Sequence, residues 1–305
     1  MTQSKILVTG GSGMVGQSLK KYLPKAIYIS SSDYDLTSEE QIKTMLFNIK
    51  PNTIIHLAAR VGGIMDNIKS PAEYFDQNIL MNTFIVKNAY EFKVKRFIGI
   101  LSTCVYPDIV ETYPIIENML HLGPPTKTNF SYGYAKRSLA VQIDAYNQQY
   151  GTKYQYLIPC NLYGEFDKYG NNSHFIAALI KKIHNAKINN DSKITLFGDG
   201  TPLRQFMHSD DLAYIIKYCL DNDVYENMNI ATQDNLSIDE MARIALKACG
   251  VENIKIEYDT TKPNGQYRKD VSIDLLKTHI SSFNPIKLEE GIKQTYNYLI
   301  KNNIL

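Results

Sequence analysis

The chain has 305 residues, of which 44% are hydrophobic and 21% are charged, and its formal net charge is +2. These values are ordinary for a globular protein with a large core, and they give no reason to expect a nucleic-acid or membrane surface. Four widely spaced cysteines without a CxxC or Cys/His pattern predict reduced thiols and no metal site, and the lack of a signal peptide or long apolar run predicts a cytoplasmic protein.

The first predicted strand, residues 5–9, runs directly into a glycine-rich turn and then into a helical pattern over residues 17–23. Glycines recur there at every third position. In a strand–turn–helix unit, such glycines allow the sharp turn, the approach of backbone to a pyrophosphate, and close packing of the helix on the strand. The N–H groups and dipole at the helix N-terminus favour phosphate binding. We therefore predict a dinucleotide-binding loop made of Gly10, Gly11, Ser12, Gly13, Met14, Val15 and Gly16.

A second strand is predicted at residues 26–30, and its end normally decides which nicotinamide cofactor is bound. An acidic residue there takes the ribose hydroxyls of NAD, whereas an arginine takes the 2′-phosphate of NADP. Here the sequence is Ser30-Ser31-Ser32-Asp33, with no arginine and no carboxylate at the last strand residue. A helix at 39–47 and a buried strand at 53–59 follow, and small residues at the end of that strand allow the backbone to lie against a ligand.

The next predicted elements are a helix at 71–92 and a strand at 96–101, which ends at Ser102 and a run of polar, reactive side chains. A further helix carries Tyr132 and Lys136, whose four-residue spacing places them on one face. An ammonium beside a phenol favours the phenolate, so we expect a lowered pKa for Tyr132 and proton transfer near neutral pH. Taken alone, this pair also fits an ordinary solvated helix face.

Strand and helix alternate over the first 165 residues, which predicts a Rossmann-type, doubly wound parallel sheet. The pattern beyond is looser and predicts a smaller α+β substrate domain. The expected division is a cofactor domain at 1–165 and a nucleotide-sugar domain at 166–305, interleaved with each other. Helices in the second part are predicted at 174–184, 237–249 and 288–300, with strands at 194–197 and 254–258.

The glycine loop, Ser102, Tyr132 and Lys136 together resemble the extended short-chain dehydrogenase/reductase superfamily. Within it, nearly the whole chain is similar to the GDP-L-fucose synthase family, the GDP-4-keto-6-deoxymannose 3,5-epimerase/4-reductases. The runs that carry this resemblance are 57–64 (LAARVGGI), 102–107 (STCVYP), 161–164 (NLYG), 172–174 (NSH), 200–211 (GTPLRQFMHSDD) and 262–265 (KPNG) before Arg268-Lys269.

The resemblance implies a reduction and an epimerisation. Tyr132 would protonate O4 as hydride arrives at C4, Lys136 would lower its pKa and hold the nicotinamide ribose, and Ser102 would donate to the same oxygen. Cys104 and His174 match the base and acid that epimerise the carbons flanking the ketone. A thiol suits this role because its pKa of about 8.5 can fall toward neutral beside a cation.

The resemblance also implies binding residues and an assembly. Arg204 would contact the nucleotide diphosphate, Lys182 stands where the family usually has arginine, Phe197 would stack on guanine, and Lys269 would be a further phosphate or sugar contact. The family's helices at 71–92 and around Tyr132 imply a homodimer. The further implied NADP(H) contacts are Ser31, Asp35, Leu36, Leu57, Ala58, Ala59, Leu101, Lys136, Pro159, Asn161 and Leu162.

Two departures from the family pattern keep alternatives open. Ser12 and the serines at 30–32 replace arginines that would grip the 2′-phosphate, so NADPH is favoured over NADH only modestly. Cys104 and His174 fit epimerisation, but also a dedicated C4 reductase of another GDP-4-keto sugar, such as a heptose. A nucleotide-sugar 4-epimerase is a further alternative, whereas a 4,6-dehydratase usually has acidic residues where Thr103-Cys104 stand. A non-catalytic sensor would be expected to lose Tyr132 or Lys136.

Overall fold

The computed structural model describes residues 5–170, 173–262 and 264–305. Asn172 and Pro263, which belong to two of the family-like motifs, lie outside the described residues. The strands are β1 (Ile6–Thr9), β2 (Ile27–Ile29), β3 (Thr53–His56), β4 (Arg96–Ile100), β5 (Lys153–Pro159), β6 (Asn161–Tyr163), β7 (Lys193–Phe197), β8 (Leu203–Arg204), β9 (Phe206–His208), β10 (Met228–Ile230), β11 (Leu236–Ser237) and β12 (Lys255–Asp259). The α-helices are α1 (Met14–Tyr22), α2 (Glu39–Ile49), α3 (Ile64–Lys69), α4 (Pro71–Glu91), α5 (Phe130–Tyr150), α6 (Phe175–Asn189), α7 (Ser209–Asp221), α8 (Ile238–Ala248), α9 (Asp274–His279) and α10 (Leu288–Lys301).

The main sheet is parallel and has the order β10-β5-β4-β3-β1-β2. Its strands form because short runs of apolar, largely branched residues are buried on both faces, as in β3 and β4. β2 pairs with one side of β1 and β3 pairs with the other, so the winding direction reverses at β1. Open α/β sheets bind ligands in the crevice at such a point, outside the carboxyl ends of the strands. The doubly wound parallel sheet is confirmed.

Strand β10 completes this sheet from within the second half of the chain. Met228 pairs with Leu157 of β5, and Ile230 pairs with Pro159. The end of α7 and the segment after it support β4, because the buried guanidinium of Arg96 donates to the carbonyls of Cys219 and Val224. The sequence prediction had no strand here, since three residues with a central asparagine give no recognisable period.

The second lobe has its own core, in which α6, α8 and α10 pack around β7 and β12. The sequence predicts α8 well because Ser237 and Glu240 form a capping box at its start. Helix α7, whose buried hydrophobic residues belong to the main core, is joined to α1 by two contacts. The Ser18 hydroxyl lies 2.8 Å from that of Ser209, and Lys21 pairs with Asp210 at 2.6 Å.

Helices α4 and α5 pack side by side and cover one outer face of the main sheet. Their solvent-facing surfaces carry the exposed apolar side chains Phe75, Leu80, Tyr90, Phe130, Val141 and Tyr150. In the described ranges, neither these helices nor any other is both long and apolar enough to cross a membrane.

Candidate active site

The glycine-rich loop lies at the point where the winding direction reverses. Gly10 has φ +71°, and a Cβ there would lie 2.8 Å from the backbone nitrogen of Ala58, so the loop requires glycine to pass the end of β3. Gly13 is the N-cap of α1, and as a glycine it has no side chain with which to cap this helix. The first N–H groups of α1 are therefore available to a pyrophosphate, as the sequence predicts.

The end of β2 differs from the sequence expectation. The carboxylate of Asp33 accepts hydrogen bonds from the Ser30 backbone N–H at 2.8 Å and from its hydroxyl at 2.9 Å. The Ser32 hydroxyl lies 2.7 Å from that of Ser30, while Ser31 is exposed outside this network. The hydrogen bonds from Ser30 hold the pKa of Asp33 below its usual range, so a negative charge lies beside the end of β2 although the last strand residue is not acidic.

The next turn contains two predicted cofactor contacts, Asp35 and Leu36. The carboxylate of Asp35 accepts from the Thr37 backbone N–H at 2.9 Å, and the side chain of Leu36 is buried in the main core. Any contact of Leu36 with a cofactor is therefore made through its backbone.

The remaining predicted cofactor contacts follow the carboxyl ends of β3, β4 and β5. Leu57, Ala58 and Ala59 are partly buried directly after β3. The side chain of Leu101 is in the core, so only its backbone can face a ligand. Pro159 ends β5, and Asn161 and Leu162 open β6, which pairs with β9 of the second lobe. These residues share one edge of the main sheet.

Tyr132 and Lys136 lie on α5, but their acidities differ from the expectation. Lys136 is 2% exposed, and within the described ranges no carboxylate lies within 4.0 Å of its ammonium. Burial lowers the pKa of Lys136 to about 8. Burial also raises the pKa of Tyr132, and Cys104 and Tyr74 raise it further. In the free protein the pKa of Tyr132 is thus raised and not lowered as predicted, because burial of the phenol disfavours the phenolate.

Cys104 lies close to α5, on a short 3₁₀ turn after β4. The hydroxyl of Ser102 accepts from the Cys104 backbone N–H at 3.3 Å and fixes this turn. A Cβ at Gly133 would lie 2.8 Å from the Cys104 carbonyl oxygen, so the glycine beside Tyr132 allows the turn to approach the helix. The ammonium of Lys269 lies 3.6 Å from the Cys104 sulfur.

The surroundings of Cys104 favour its thiolate. Burial alone would raise the pKa of the thiol, but the charge of Lys269 and hydrogen bonds from Ser102, Lys269 and Asn129 lower it below its ordinary value. This agrees with the expectation of a cation beside the thiol. Sequence reasoning missed Asn129, which is the N-cap of α5 but makes no side-chain cap, so its amide is left for the site. An asparagine three residues before the tyrosine was the available signal.

His174 is oriented by a second residue that sequence reasoning missed. Its Nδ1 lies 2.9 Å from a carboxylate oxygen of Asp167, whose side chain is buried. The hydrogen bond to Asp167 raises the pKa of His174, which favours the imidazolium, the form that can donate a proton. No contact within the described ranges joins His174 to Cys104. The signal for Asp167 was an acidic residue seven positions before the histidine.

The predicted substrate residues form two groups. Arg204 donates to the carbonyls of Leu203 at 2.7 Å and Tyr267 at 3.4 Å. Burial lowers the pKa of its guanidinium, and the charge of the nearby Cys104 thiolate opposes this. Arg204 and Lys269 thus belong to the surroundings of Cys104. Lys182 lies 5.2 Å over the ring of Phe197, which is 57% exposed. This second group offers a cation and an aromatic surface further along the second lobe.

Comparisons with known proteins extend over both lobes. The model of the NAD dependent epimerase/dehydratase family matches residues 6–231. The GDP-L-fucose synthase of Dictyostelium discoideum is 39% identical over 310 residues, which cover 97% of this chain and 95% of the relative. The GDP-L-colitose synthase of Yersinia pseudotuberculosis is 35% identical and covers 98% and 99%. The solved structure of the GDP-L-fucose synthetase from Naegleria fowleri bound to NADP has a TM-score of 0.89 at 31% identity, covering 100% of this chain and 96% of that one.

Proposed function

The chain belongs to the GDP-L-fucose synthase family of the NAD dependent epimerases/dehydratases, and from this premise we propose that it reduces the C4 ketone of a GDP-4-keto-6-deoxy sugar with NADPH, after epimerising C3 and C5. The observation that carries the proposal is the convergence of Cys104, Tyr132, Arg204 and Lys269 beside the carboxyl ends of the main-sheet strands. This arrangement offers a base, a proton donor and two cations to one substrate.

The free protein holds Tyr132 in the form that reduction needs. A phenol with a raised pKa keeps its proton, and that proton passes to O4 as the ketone becomes an alkoxide. Bound NADPH supplies the hydride that adds to C4. The residues present fit this cofactor, because the uncapped start of α1 can bind its pyrophosphate and buried Lys136 can donate to its ribose.

Epimerisation uses the second pair of groups. The Cys104 thiolate removes a proton from a carbon next to the ketone, and the C–H electrons are held as an enolate at C4. The His174 imidazolium, supported by Asp167, then returns a proton to the opposite face. Because the enolate requires the ketone, both epimerisations precede hydride transfer and consume no cofactor.

The sugar itself has a second candidate. The relative named GDP-L-colitose synthase, which is 35% identical to this chain, supports a GDP-4-keto sugar other than the one in the main proposal. A dedicated C4 reductase, including one that acts on a heptose, keeps Tyr132 and Lys136 in the same roles and leaves Cys104 unused as a base.

The proposal includes three further features. We propose NADPH over NADH, supported by a relative bound to NADP, and a homodimer formed through α4 and α5, supported by their exposed apolar side chains. A cytoplasmic location is supported by four free cysteine thiols. The division at residue 165 into cofactor and substrate parts is likewise proposed.

Proton exchange in D₂O tests the function directly. Enzyme and GDP-4-keto-6-deoxymannose without NADPH should incorporate deuterium at C3 or C5, and addition of NADPH should then give the reduced, epimerised sugar by NMR. Cys104→Ser should abolish exchange but still reduce C4, because a hydroxyl is far too weak a base near neutral pH. Cys249→Ser, in the second core, is the matched control and should exchange normally. Rapid reduction by the wild type without exchange would assign the chain to the dedicated reductases.

A further inference from the structure

We propose that Lys269 is the cation that keeps Cys104 as a thiolate, so that this lysine acts on the base of the epimerisation and not only on the substrate phosphates. The inference concerns a positioning residue, because Lys269 would act through Cys104. Its catalytic meaning rests on the proposed function, whereas the thiolate–ammonium contact is a property of the free protein.

The geometry of Lys269 favours this role. Its ammonium lies 3.6 Å from the Cys104 sulfur, and within the described ranges no carboxylate lies within 4.0 Å of it. The adjacent carboxylate, Asp270, is taken by Arg268 through two hydrogen bonds of 2.5 and 3.0 Å. The positive charge of Lys269 is therefore not neutralised by its neighbour and acts on the sulfur.

Hydrogen bonds to Ile115 and to Gln205 hold the segment that carries Lys269. The Ile115 N–H donates to the Asp270 carbonyl at 2.9 Å, and the Ser272 N–H donates to the Ile115 carbonyl at 2.8 Å. The Val271 N–H donates to the side chain of buried Gln205 at 2.9 Å. These bonds fix the backbone beside the lysine before substrate arrives, and the contact with Cys104 is what positions the ammonium itself.

The other groups facing the thiol divide into charged and neutral ones. Arg204 is a second cation, but its guanidinium already donates to two carbonyls. Tyr132, on α5, is a neutral phenol because burial raises its pKa. Ser102 and Asn129 are neutral and support the thiolate through hydrogen bonds. Lys269 is the cation in direct contact with the sulfur, and its charge opposes the cost of burying a thiolate.

In the epimerisation step, one proton moves from the substrate to Cys104. The thiolate takes the proton from the carbon beside the C4 ketone, an S–H bond forms as the C–H bond breaks, and the electron pair moves to the enolate oxygen. Lys269 keeps its own proton throughout. Its contribution is to raise the fraction of Cys104 that is ready to accept one near pH 7.

The test measures thiol ionisation without any substrate. Wild-type protein and variants are alkylated with iodoacetamide across pH 6–10, and the Cys104 peptide is quantified by mass spectrometry. Cys104 is partly exposed, whereas the other three cysteines are buried, so the reaction is selective. Lys269→Met should move the pH midpoint of Cys104 alkylation upward by about one unit or more, because an opposite charge this close has been removed. The alkylation rate at pH 7 should fall about threefold or more, since the more basic thiolate is also more nucleophilic. Lys269→Arg should restore the rate, and Lys277→Met, exposed on α9, should not change it.

The pH profile of deuterium exchange gives the second readout. Lys269→Met should move the rise of exchange to higher pH by the same interval as alkylation, while reduction of C4 is affected less. An unchanged alkylation profile in Lys269→Met, with only a higher KM for the GDP-sugar, would overturn the inference and leave Lys269 as a phosphate contact. Absent exchange in the wild type, with the alkylation shift present, would refute the proposed epimerisation but support the thiolate–ammonium pair.

Discussion

Replacing Lys136 by methionine should abolish reduction and yet stabilise the free protein. Burial lowers the pKa of Lys136 from 10.5 to about 8. Each unit corresponds to about 1.4 kcal/mol, so keeping this ammonium charged at pH 7 costs about 3 kcal/mol of folding free energy. Methionine is a neutral side chain of similar length, and it should recover most of this cost. The result would be a trade-off between activity and stability at one residue.

The stability difference between Lys136→Met and the wild type should depend on pH. Because the folded-state pKa is the lower one, the unfolded chain binds the proton more tightly between about pH 8 and 10.5. The cost is therefore fully present below pH 8, and the advantage of Lys136→Met should shrink as the pH rises toward 10.5. Urea denaturation of the cofactor-free protein at pH 7 and pH 9.5 measures it, with exposed Lys277→Met as the control. Equal stability of wild type and Lys136→Met at pH 7 would refute the reasoning.

Three further outcomes are expected. Tyr132→Phe should keep cofactor binding but lower kcat by about 10²–10⁴, the usual effect of a positioned proton donor. The control variant Tyr134→Phe should keep its activity, and near-normal turnover of Tyr132→Phe would exclude Tyr132 as the acid. NADPH should be preferred over NADH by roughly tenfold in kcat/KM, or about 1.4 kcal/mol. Asp33→Asn should increase this preference because it removes a negative charge, and equal kcat/KM values for the two cofactors would contradict the proposed NADPH preference. Sedimentation should give a dimer at micromolar concentration that Val141→Glu weakens and Ile188→Glu on α6 does not, and a wild-type monomer would argue against α4 and α5 as the interface.

Much of the fold follows from local patterns in the sequence. The segment Ile6–Thr9 and the glycines after it predict strand, loop and helix because each conformation depends on residues close in the chain. The pairing of Met228–Ile230 with β5 could not be predicted in this way, because it depends on contacts with residues some seventy positions away.

The candidate site shows the same difference between features set by nearby residues and features set by distant ones. Residue types and spacing identify Tyr132, Lys136 and Cys104 as reactive groups, but their acidities depend on burial and on distant neighbours. The sequence could not reveal that Lys269 contacts Cys104 across 165 positions, or that burial raises the pKa of Tyr132. It also gave Asp33 no role, since the fold-back onto Ser30 is set by the turn geometry.

The strand that β10 adds to the main sheet also affects how the chain can be made and divided. During synthesis, β5 leaves the ribosome with its outer edge uncovered until β10 has followed, and the guanidinium of Arg96 lacks the backbone carbonyls of Cys219 and Val224 until then. A gene fragment that encodes residues 1–165 would keep this open edge permanently. In a chimera of two relatives that changes parent at residue 165, β5 and β10 come from different parents, so their pairing has to form between the two sequences.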